Sequence, residues 1–312
     1  MSIDSQVPDL RLRLGHDEER AVEDGADYVL YWMTAFRRPR WNFALERAID
    51  WCRSLDKPLV VFEALRVDYR WASDRLHTFV VNGMRDNRDA FAGSDAVAYF
   101  PYLEQKKGAG SGLLAALASR AAVVVGDDFP SFFLPAQARA AARAIPCRYE
   151  LVDSNGLYPM RDTDKVFSRA YDFRRHLQKN LLPHLSETPK PAPLQGVQLP
   201  AATGLLDGIQ QKWNAVSDDD LDDPTELIAS LPIDHDVPPV PDEPGGYVAA
   251  GERLERFLEK RLSNYDERNQ PEAEAASELS AHLHFGHISA HEVFDALVQR
   301  ESWTPNKTAD KA

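Results

Sequence analysis

The sequence predicts an α/β fold, a doubly wound parallel sheet of five strands, followed by a long linker and the start of an all-helical domain. Three observations support this fold class. Short runs of apolar residues alternate with segments in which apolar residues recur every three or four positions. A stretch rich in Pro and Asp then interrupts this alternation, and the later segments have helical periodicity.

The same patterns divide the chain into four parts. Residues 1–25 are charged and form a loose lead-in, and residues 26–182 hold the α/β domain. Residues 183–246 form an interdomain linker that drapes over the first domain, because Pro and charge together disfavour a packed core. Residues 247–312 form the start of a helical domain, which we expect to be incomplete.

Continuous apolar runs are typical of strands that are buried on both faces of a parallel sheet. The five predicted strands are Tyr28–Met33, Pro58–Phe62, Ala96–Phe100, Ala121–Val125 and Arg148–Val152. Ligands of such sheets bind beyond the carboxyl ends of the strands, so we expect any ligand of this domain there. The first strand is not followed by a G-x-G-x-x-G motif, and Gly108–Gly112 is interpreted as a flexible turn rather than a phosphate cradle.

Apolar residues elsewhere have the spacing of amphipathic helices. After the first strand, Trp41, Leu45 and Ile49 recur at this spacing. Further helices are predicted near residues 76–91, 113–119, 135–144, 166–181, 254–262 and 288–297. The helix over 166–181 carries Arg and Lys on its outer face, which is the usual composition of a solvent-exposed face.

Composition restricts the function. The net charge of −13 argues against non-specific wrapping of nucleic acid by the whole surface, although a local basic groove is compatible with it. The two cysteines, Cys52 and Cys147, are too few for a disulfide framework or a zinc site. The sequence has no apolar run of about 18 residues, and its charged N-terminus does not resemble a secretory signal. We therefore expect a protein of the reducing cytoplasm without a membrane span.

One stretch near the C-terminus contains most of the candidate binding residues. It reads Tyr265-Asp-Glu-Arg-Asn-Gln-Pro271, and then Ser277-Glu-Leu-Ser-Ala-His-Leu-His-Phe-Gly-His-Ile-Ser289. One of the two serines at 277 and 280 is expected to cap the helix that follows. The free N–H groups and positive dipole end of a helix start suit a phosphate, although an ordinary capped helix is the simpler explanation of this pattern alone.

Metal and nucleophilic chemistry are not predicted. His287 and His291 have the i, i+4 spacing of metal-binding helices, but neither a carboxylate nor a Cys completes such a site in the sequence. A Ser-His-Asp order and a Cys nucleophile context are also missing from the sequence. The catalytic residues therefore stay unidentified at this level.

The ordered series from Tyr265 to Ser289 resembles the segment that begins the FAD-binding helical domain of the photolyase/cryptochrome flavoproteins. The first half of the chain is similar to this family as well, though more loosely. Its Arg-containing loop, Arg37–Arg40, and the following Asn42-Phe-Ala-Leu45 look like the loop and helix after the first strand in photolyases.

The resemblance implies a role for five residues. Tyr265 would hydrogen-bond the FAD, and Arg268 would lie near the DNA backbone. An Arg near bound DNA would hold a phosphate as a charge-assisted pair, although a surface Arg paired with its acidic neighbours is the ordinary explanation. The flavin phosphates would be wrapped, through hydroxyl and backbone N–H groups, by Ser277, Leu279 and Ser280.

Two positions beside these serines affect the predicted phosphate site. The family usually has Thr where this chain has Ala276, so one hydroxyl contact worth about 1 kcal/mol is lost. Glu278 is expected to be exposed and to point away from the phosphates, because like charges repel.

By resemblance, the function is that of a deoxyribodipyrimidine photo-lyase. Such an enzyme repairs UV-induced pyrimidine dimers in DNA by light-driven electron transfer from reduced FAD, with the damaged bases flipped out of the duplex. The α/β domain of the family often carries an antenna chromophore, a folate or a deazaflavin. We expect UV-damaged DNA as the partner and a monomer as the oligomeric state.

Two other functions stay open. The chain is alternatively a cryptochrome-like light sensor or a non-catalytic, truncated photolyase remnant. The second possibility is an unrelated α/β protein that binds ATP or AMP at the strand ends and ignores flavin. Because the family builds the rest of its flavin pocket from further helices, we expect weak or absent FAD binding by these 312 residues alone.

Overall fold

The computed structural model describes residues 3–305, so the last seven residues of the predicted helical part lie outside it. The described residues form a six-stranded sheet. The strands are β1 (Leu12–Leu14), β2 (Tyr28–Met33), β3 (Leu59–Leu65), β4 (Val97–Leu103), β5 (Ala121–Asp127) and β6 (Arg148–Val152). Their order in the sheet is β1-β6-β5-β2-β3-β4, and every pairing among β2 to β6 is parallel. The prediction of a doubly wound parallel sheet is thus confirmed for these five strands.

The predicted strand count of five is wrong, because the lead-in contributes β1. This strand pairs antiparallel with β6, with Leu12 opposite Val152. Arg11 holds the segment in place by donating to the carbonyl oxygens of Gly156 and Leu157 at 3.0 and 2.9 Å. Three residues with a central Arg give no apolar run, so the sequence alone did not indicate a strand.

Helices cover both faces of the sheet and the segment beyond it. Their bounds are α1 (Phe43–Leu55), α2 (Asp74–Phe91), α3 (Leu113–Ala118), α4 (Leu134–Ala144), α5 (Ala170–Asn180), α6 (Asp207–Gln210), α7 (Asp218–Asp222), α8 (Thr225–Ala229), α9 (Tyr247–Lys260), α10 (Ser280–His284) and α11 (Ala290–Glu301). Alternate residues of β2 enter opposite cores: Leu30 packs with α3 and α4 residues, and Tyr31 packs with α1 residues. Within residues 3–305, no helix is long and apolar enough to cross a bilayer.

The loop after β2 is held by one buried carboxylate. Asp127, at the end of β5, accepts the backbone N–H groups of Thr34, Ala35 and Phe36 at 2.7–2.9 Å. It also accepts the hydroxyl of Tyr31 at 2.8 Å, and burial raises the pKa of the carboxyl group. The next helix, α1, starts at a true cap, because the side chain of Asn42 accepts the N–H groups of Ala44 and Leu45.

Residues 183–246, the predicted linker, contain the short helices α6, α7 and α8, which contact α2 and α3. Trp213 is buried and donates its indole N–H to the carbonyl oxygen of Ala109 at 3.1 Å. The acidic run that begins at Asp218 forms α7, where Asp218 and Asp222 pair with Arg88 of α2 at 3.5 and 2.7 Å. These contacts explain why a polar stretch is ordered against the first domain.

Two glycines allow the last helices to approach the sheet domain closely. Gly286 has a positive φ of 74°, and a Cβ built there would overlap the carbonyl oxygen of Ala35 in the loop after β2. The carbonyl oxygen of Gly286 accepts a bond from Arg38 Nη1 at 3.0 Å. A Cβ on Gly245 would likewise overlap the backbone of Phe79 in α2. The helical part therefore docks on the α/β domain through backbone-to-backbone contact.

Candidate functional site

A large cavity of about 1020 Å³ lies beyond the carboxyl ends of β2 to β5. This is the edge at which parallel α/β sheets bind ligands, as the sequence predicted. Most of the lining is aromatic or aliphatic and comes from the strand ends, α2, α3, α4 and the end of α10. The aromatic members are Trp32, Phe62, Tyr69, Trp71, Tyr102, Phe129, Phe132, Phe133 and Phe285.

Three exposed aromatic side chains surround the cavity. Trp71, Phe132 and Phe133 are 60%, 62% and 42% exposed. The Phe132 ring stacks on Phe129 with 6.4 Å between ring centroids, and it meets His284 edge to face at 5.3 Å. Exposed rings beside an apolar hollow are suited to a planar aromatic ligand.

The polar groups of the cavity are few and mostly paired with each other. Glu104 accepts the backbone N–H groups of Gly108 and Val67 at 2.8 and 3.3 Å. The carboxylate of Glu104 thus already accepts a backbone N–H of the Gly-rich turn. This agrees with the prediction that the turn is not a phosphate cradle. At the mouth, Asp68 pairs with Lys107 at 3.1 Å and with Arg66 at 3.4 Å. The cavity therefore favours a ligand with little net charge.

The serine-containing loop of the predicted flavin site lies in the helical part, outside the cavity lining. Ser280 is exposed and Ser277 is half-buried, so both hydroxyls are accessible to a ligand. Leu279 is only 1% exposed and packs with Leu254 and Phe257 of α9, so it could contact a ligand only through its backbone. The loop is thus neither a buried core segment nor an extended strand.

The predicted serine cap is wrong. Leu279 is the residue before α10, and its side chain does not cap the helix. Ser277 Oγ accepts only the N–H of Leu279, at 3.5 Å. Glu278 has a positive φ of 59°, and the resulting turn puts Leu279 rather than a serine at the capping position. Within the segment Ser277–Ser289, Ser289 caps a helix, because its side chain accepts the N–H of His291 at the start of α11.

Tyr265 and Arg268 lie on the surface next to this loop. The Tyr265 ring meets Phe257 edge to face at 5.4 Å, which connects it to the same apolar cluster as Leu279. The guanidinium of Arg268 lies 4.6 Å over the Tyr265 ring, and its Nη1 donates to the Tyr265 carbonyl oxygen at 3.2 Å. Arg268 thus stacks on an aromatic ring instead of pairing with its acidic neighbours.

His282, His287 and His291 are buried, and burial lowers the pKa of each imidazole, whereas His284 is exposed. Burial holds the pKa of His287 far below its usual range, and its Nδ1 accepts the N–H of Gly246 at 2.8 Å. Burial, with Arg11 and Arg38 nearby, lowers the pKa of His291 to about 3. Across residues 3–305, no three His, Cys, Asp or Glu side chains are grouped so that they could hold a metal ion.

Comparison with known proteins agrees with this architecture. The chain is 29% identical over 268 residues to a deoxyribodipyrimidine photo-lyase of Methanothermobacter thermautotrophicus, covering 84% of this chain and 54% of the relative. It is 27% identical over 282 residues to a deoxyribodipyrimidine photo-lyase of Arabidopsis thaliana, covering 84% of this chain and 51% of the relative. These similarities agree with the resemblance to the photolyase/cryptochrome proteins.

Solved structures of photolyase/cryptochrome proteins share the fold. A class III photolyase from Agrobacterium tumefaciens matches with a TM-score of 0.63 and 19% identity, over 90% of this chain and 55% of that one. A cryptochrome from Synechocystis matches with a TM-score of 0.56 and 13% identity, over 91% of this chain and 57% of that one. No protein-family model matches the sequence. The chain spans about half the length of the curated photolyases that it matches.

Sequence reasoning missed the exposed aromatic residues that line the cavity. Trp71, Phe132 and Phe133 lie on loops whose sequences have no helical or strand periodicity. A signal was present in Phe129-Pro-Ser-Phe-Phe133. A surface loop at a strand end does not need three aromatic side chains for its own folding, so their presence indicates a binding role.

Proposed function

We propose that the chain functions as a deoxyribodipyrimidine photo-lyase, which repairs UV-induced pyrimidine dimers in DNA with light and reduced FAD. The observation that carries the proposal is the alignment of 84% of the chain with curated proteins of that name. The alternative, a light sensor or a remnant without catalysis, keeps the same fold and differs only in the fate of the dimer.

The residues of the serine loop fit a flavin diphosphate. Two accessible hydroxyls, Ser277 and Ser280, supply neutral donors, and Arg253 in α9 and Arg261 just after it direct their guanidinium groups at the same loop. Phosphates are bound by this combination of hydroxyl and guanidinium donors. When bound there, FAD supplies the light-driven electron transfer, and the chain holds its phosphates and keeps Tyr265 beside them.

The DNA contact is proposed at Arg268. Its side chain is exposed and is oriented by stacking on Tyr265 rather than by an ion pair, so its guanidinium N–H groups stay accessible to a DNA phosphate. We place the protein in the cytoplasm as a monomer, in agreement with its two buried, unpaired cysteines, Cys52 and Cys147.

The large cavity is proposed to hold the antenna chromophore, a folate or a deazaflavin. Its volume of about 1020 Å³ and its aromatic walls fit a planar heterocycle. At its mouth, Asp68 pairs with both Arg66 and Lys107, so these three side chains together carry one positive charge.

The test is light-dependent repair. The purified chain, with excess reduced FAD, is illuminated in the presence of an oligonucleotide that contains one thymine dimer, and dimer loss is followed by chromatography. We expect loss in the light and none in the dark. Photoreduction of bound flavin without dimer loss would indicate the light sensor instead, and the absence of any flavin-dependent signal would refute both functions.

A further inference from the structure

Glu278, in the middle of the serine loop, is held by two arginines. Its Oε2 lies 3.1 Å from Nη1 of Arg253, and its Oε1 lies 2.6 Å from Nη1 of Arg261. Arg253 also lies 3.5 Å from the carboxylate of Glu243. Glu278 is exposed, as the sequence predicts. Its pairing with two arginines was not predicted from the sequence.

The arginines are the fixed part of this cluster. Their side chains are 11% and 21% exposed, whereas that of Glu278 is 40% exposed, so the carboxylate covers the two cations from the solvent side. Arg261 also donates to the carbonyl oxygen of Ala276 at 3.2 Å, one residue before Ser277. The guanidinium groups thus lie against the same short segment that carries the predicted phosphate ligands.

Glu278 is held at a cost to its own backbone. Its φ of 59° is left-handed, which costs an L-residue about 1–2 kcal/mol. Exposed ion pairs return about 0–1 kcal/mol each, so release of the carboxylate from its arginines requires little net free energy. A second anion with more charge would compete effectively for the same guanidinium groups, since carboxylate and phosphate present similar oxygen geometry to Arg.

We propose that Arg253 and Arg261 form an anion site for the diphosphate of the bound dinucleotide, and that Glu278 is an internal competitor which leaves before the ligand binds. The proposal deepens the proposed function, because the diphosphate is that of FAD. In this proposal Glu278 lowers the affinity of the site for the diphosphate, and a neutral residue at position 278 would raise that affinity.

The charge balance explains why the competitor matters. With Glu278 and Glu243 in place, the two arginines are neutralised, and a diphosphate meets no net positive charge. Replacement of Glu278 by Gln leaves one uncompensated guanidinium charge at the loop. Glu278→Asp keeps the competing charge and is the matched control.

The experiment is isothermal titration of inorganic pyrophosphate into the full chain at low ionic strength without divalent cations. We expect Glu278→Gln to bind pyrophosphate at least tenfold more tightly than the unmodified chain, which Glu278→Asp should match. Adding Arg253→Gln and Arg261→Gln to Glu278→Gln should abolish the gain. Equal affinities for the Gln and Asp variants, or a gain that survives loss of both arginines, would overturn the proposal.

Two features keep the result interpretable. Thermal unfolding identifies a variant that does not fold, and Glu278→Gly, which also relieves the left-handed strain, then replaces Glu278→Gln in the same comparison. Pyrophosphate contains no flavin, so the titration does not depend on repair activity. A pyrophosphate gain without light-driven repair refutes only the photolyase function, whereas repair without the gain refutes only the competitor.

Discussion

Replacement of Gly286 by Ala tests how the helical part docks on the sheet domain. Gly286 has a φ of 74°, and a Cβ there would overlap the Ala35 carbonyl oxygen and lie 2.8 Å from the backbone nitrogen of Arg37. The left-handed conformation costs an alanine about 1–2 kcal/mol, and forced overpacking costs about 1–3 kcal/mol. Because both contacts are with backbone, side-chain rotation cannot relieve them. We expect Gly286→Ala to lower the free energy of unfolding by about 3 kcal/mol.

The assay is urea unfolding followed by tryptophan fluorescence, with hydrogen exchange to locate the change in α9 to α11. Gly251→Ala is the matched control, since Gly251 lies within α9 and a Cβ there would meet no atom within 4 Å. Alanine is a better helix former, so this variant should gain about 1 kcal/mol. An unfolding free energy for Gly286→Ala within about 0.5 kcal/mol of the unmodified chain would refute the docking argument.

Three further predictions concern ligands and pH. Ala276→Thr restores a hydroxyl beside the serine loop and should tighten FAD binding about fivefold, equivalent to about 1 kcal/mol, whereas a fluorescence titration with no change would contradict the predicted phosphate site. Phe132→Ala should weaken binding of a deazaflavin to the cavity about fivefold, while Phe173→Ala, an exposed Phe on α5, should leave the affinity unchanged. His291 has a folded pKa of about 3 and an ordinary value of 6.5, so the unfolded chain binds more protons in this range and stability is lost as the pH falls from about 6.5 toward 3. His291→Gln should reduce this loss by about 1 kcal/mol per pH unit below pH 6, measured by urea unfolding at several pH values; an unchanged slope would show that His291 is not the titrating group.

Sequence patterns were sufficient for the parts of the fold that depend on local burial. The run Tyr28–Met33 is apolar throughout because it is buried on both faces of the sheet, and that requirement is visible residue by residue. The ordered residues from Tyr265 to Ser289 likewise indicated a resemblance to photolyases, and the chain is similar in sequence to two curated proteins of that name. The roles of Tyr265, Arg268, Ser277, Leu279 and Ser280 in binding FAD and DNA stay predictions.

Only the tertiary structure decided the features that join distant parts of the chain. Strand β1 exists because Arg11 reaches Gly156 and Leu157, and three residues carry too little pattern to predict it. The cavity combines side chains from strand ends, from the loops that follow them and from four helices, and none of these segments indicates a cavity by its own sequence. The ion pairs of Glu278 with Arg253 and Arg261 join α9 and its C-terminal end to a loop about twenty residues further along the chain. The sequence pattern of a segment shows which of its residues are buried. Contacts between distant segments depend on how the helices and strands are placed in space, which the pattern of one segment does not show.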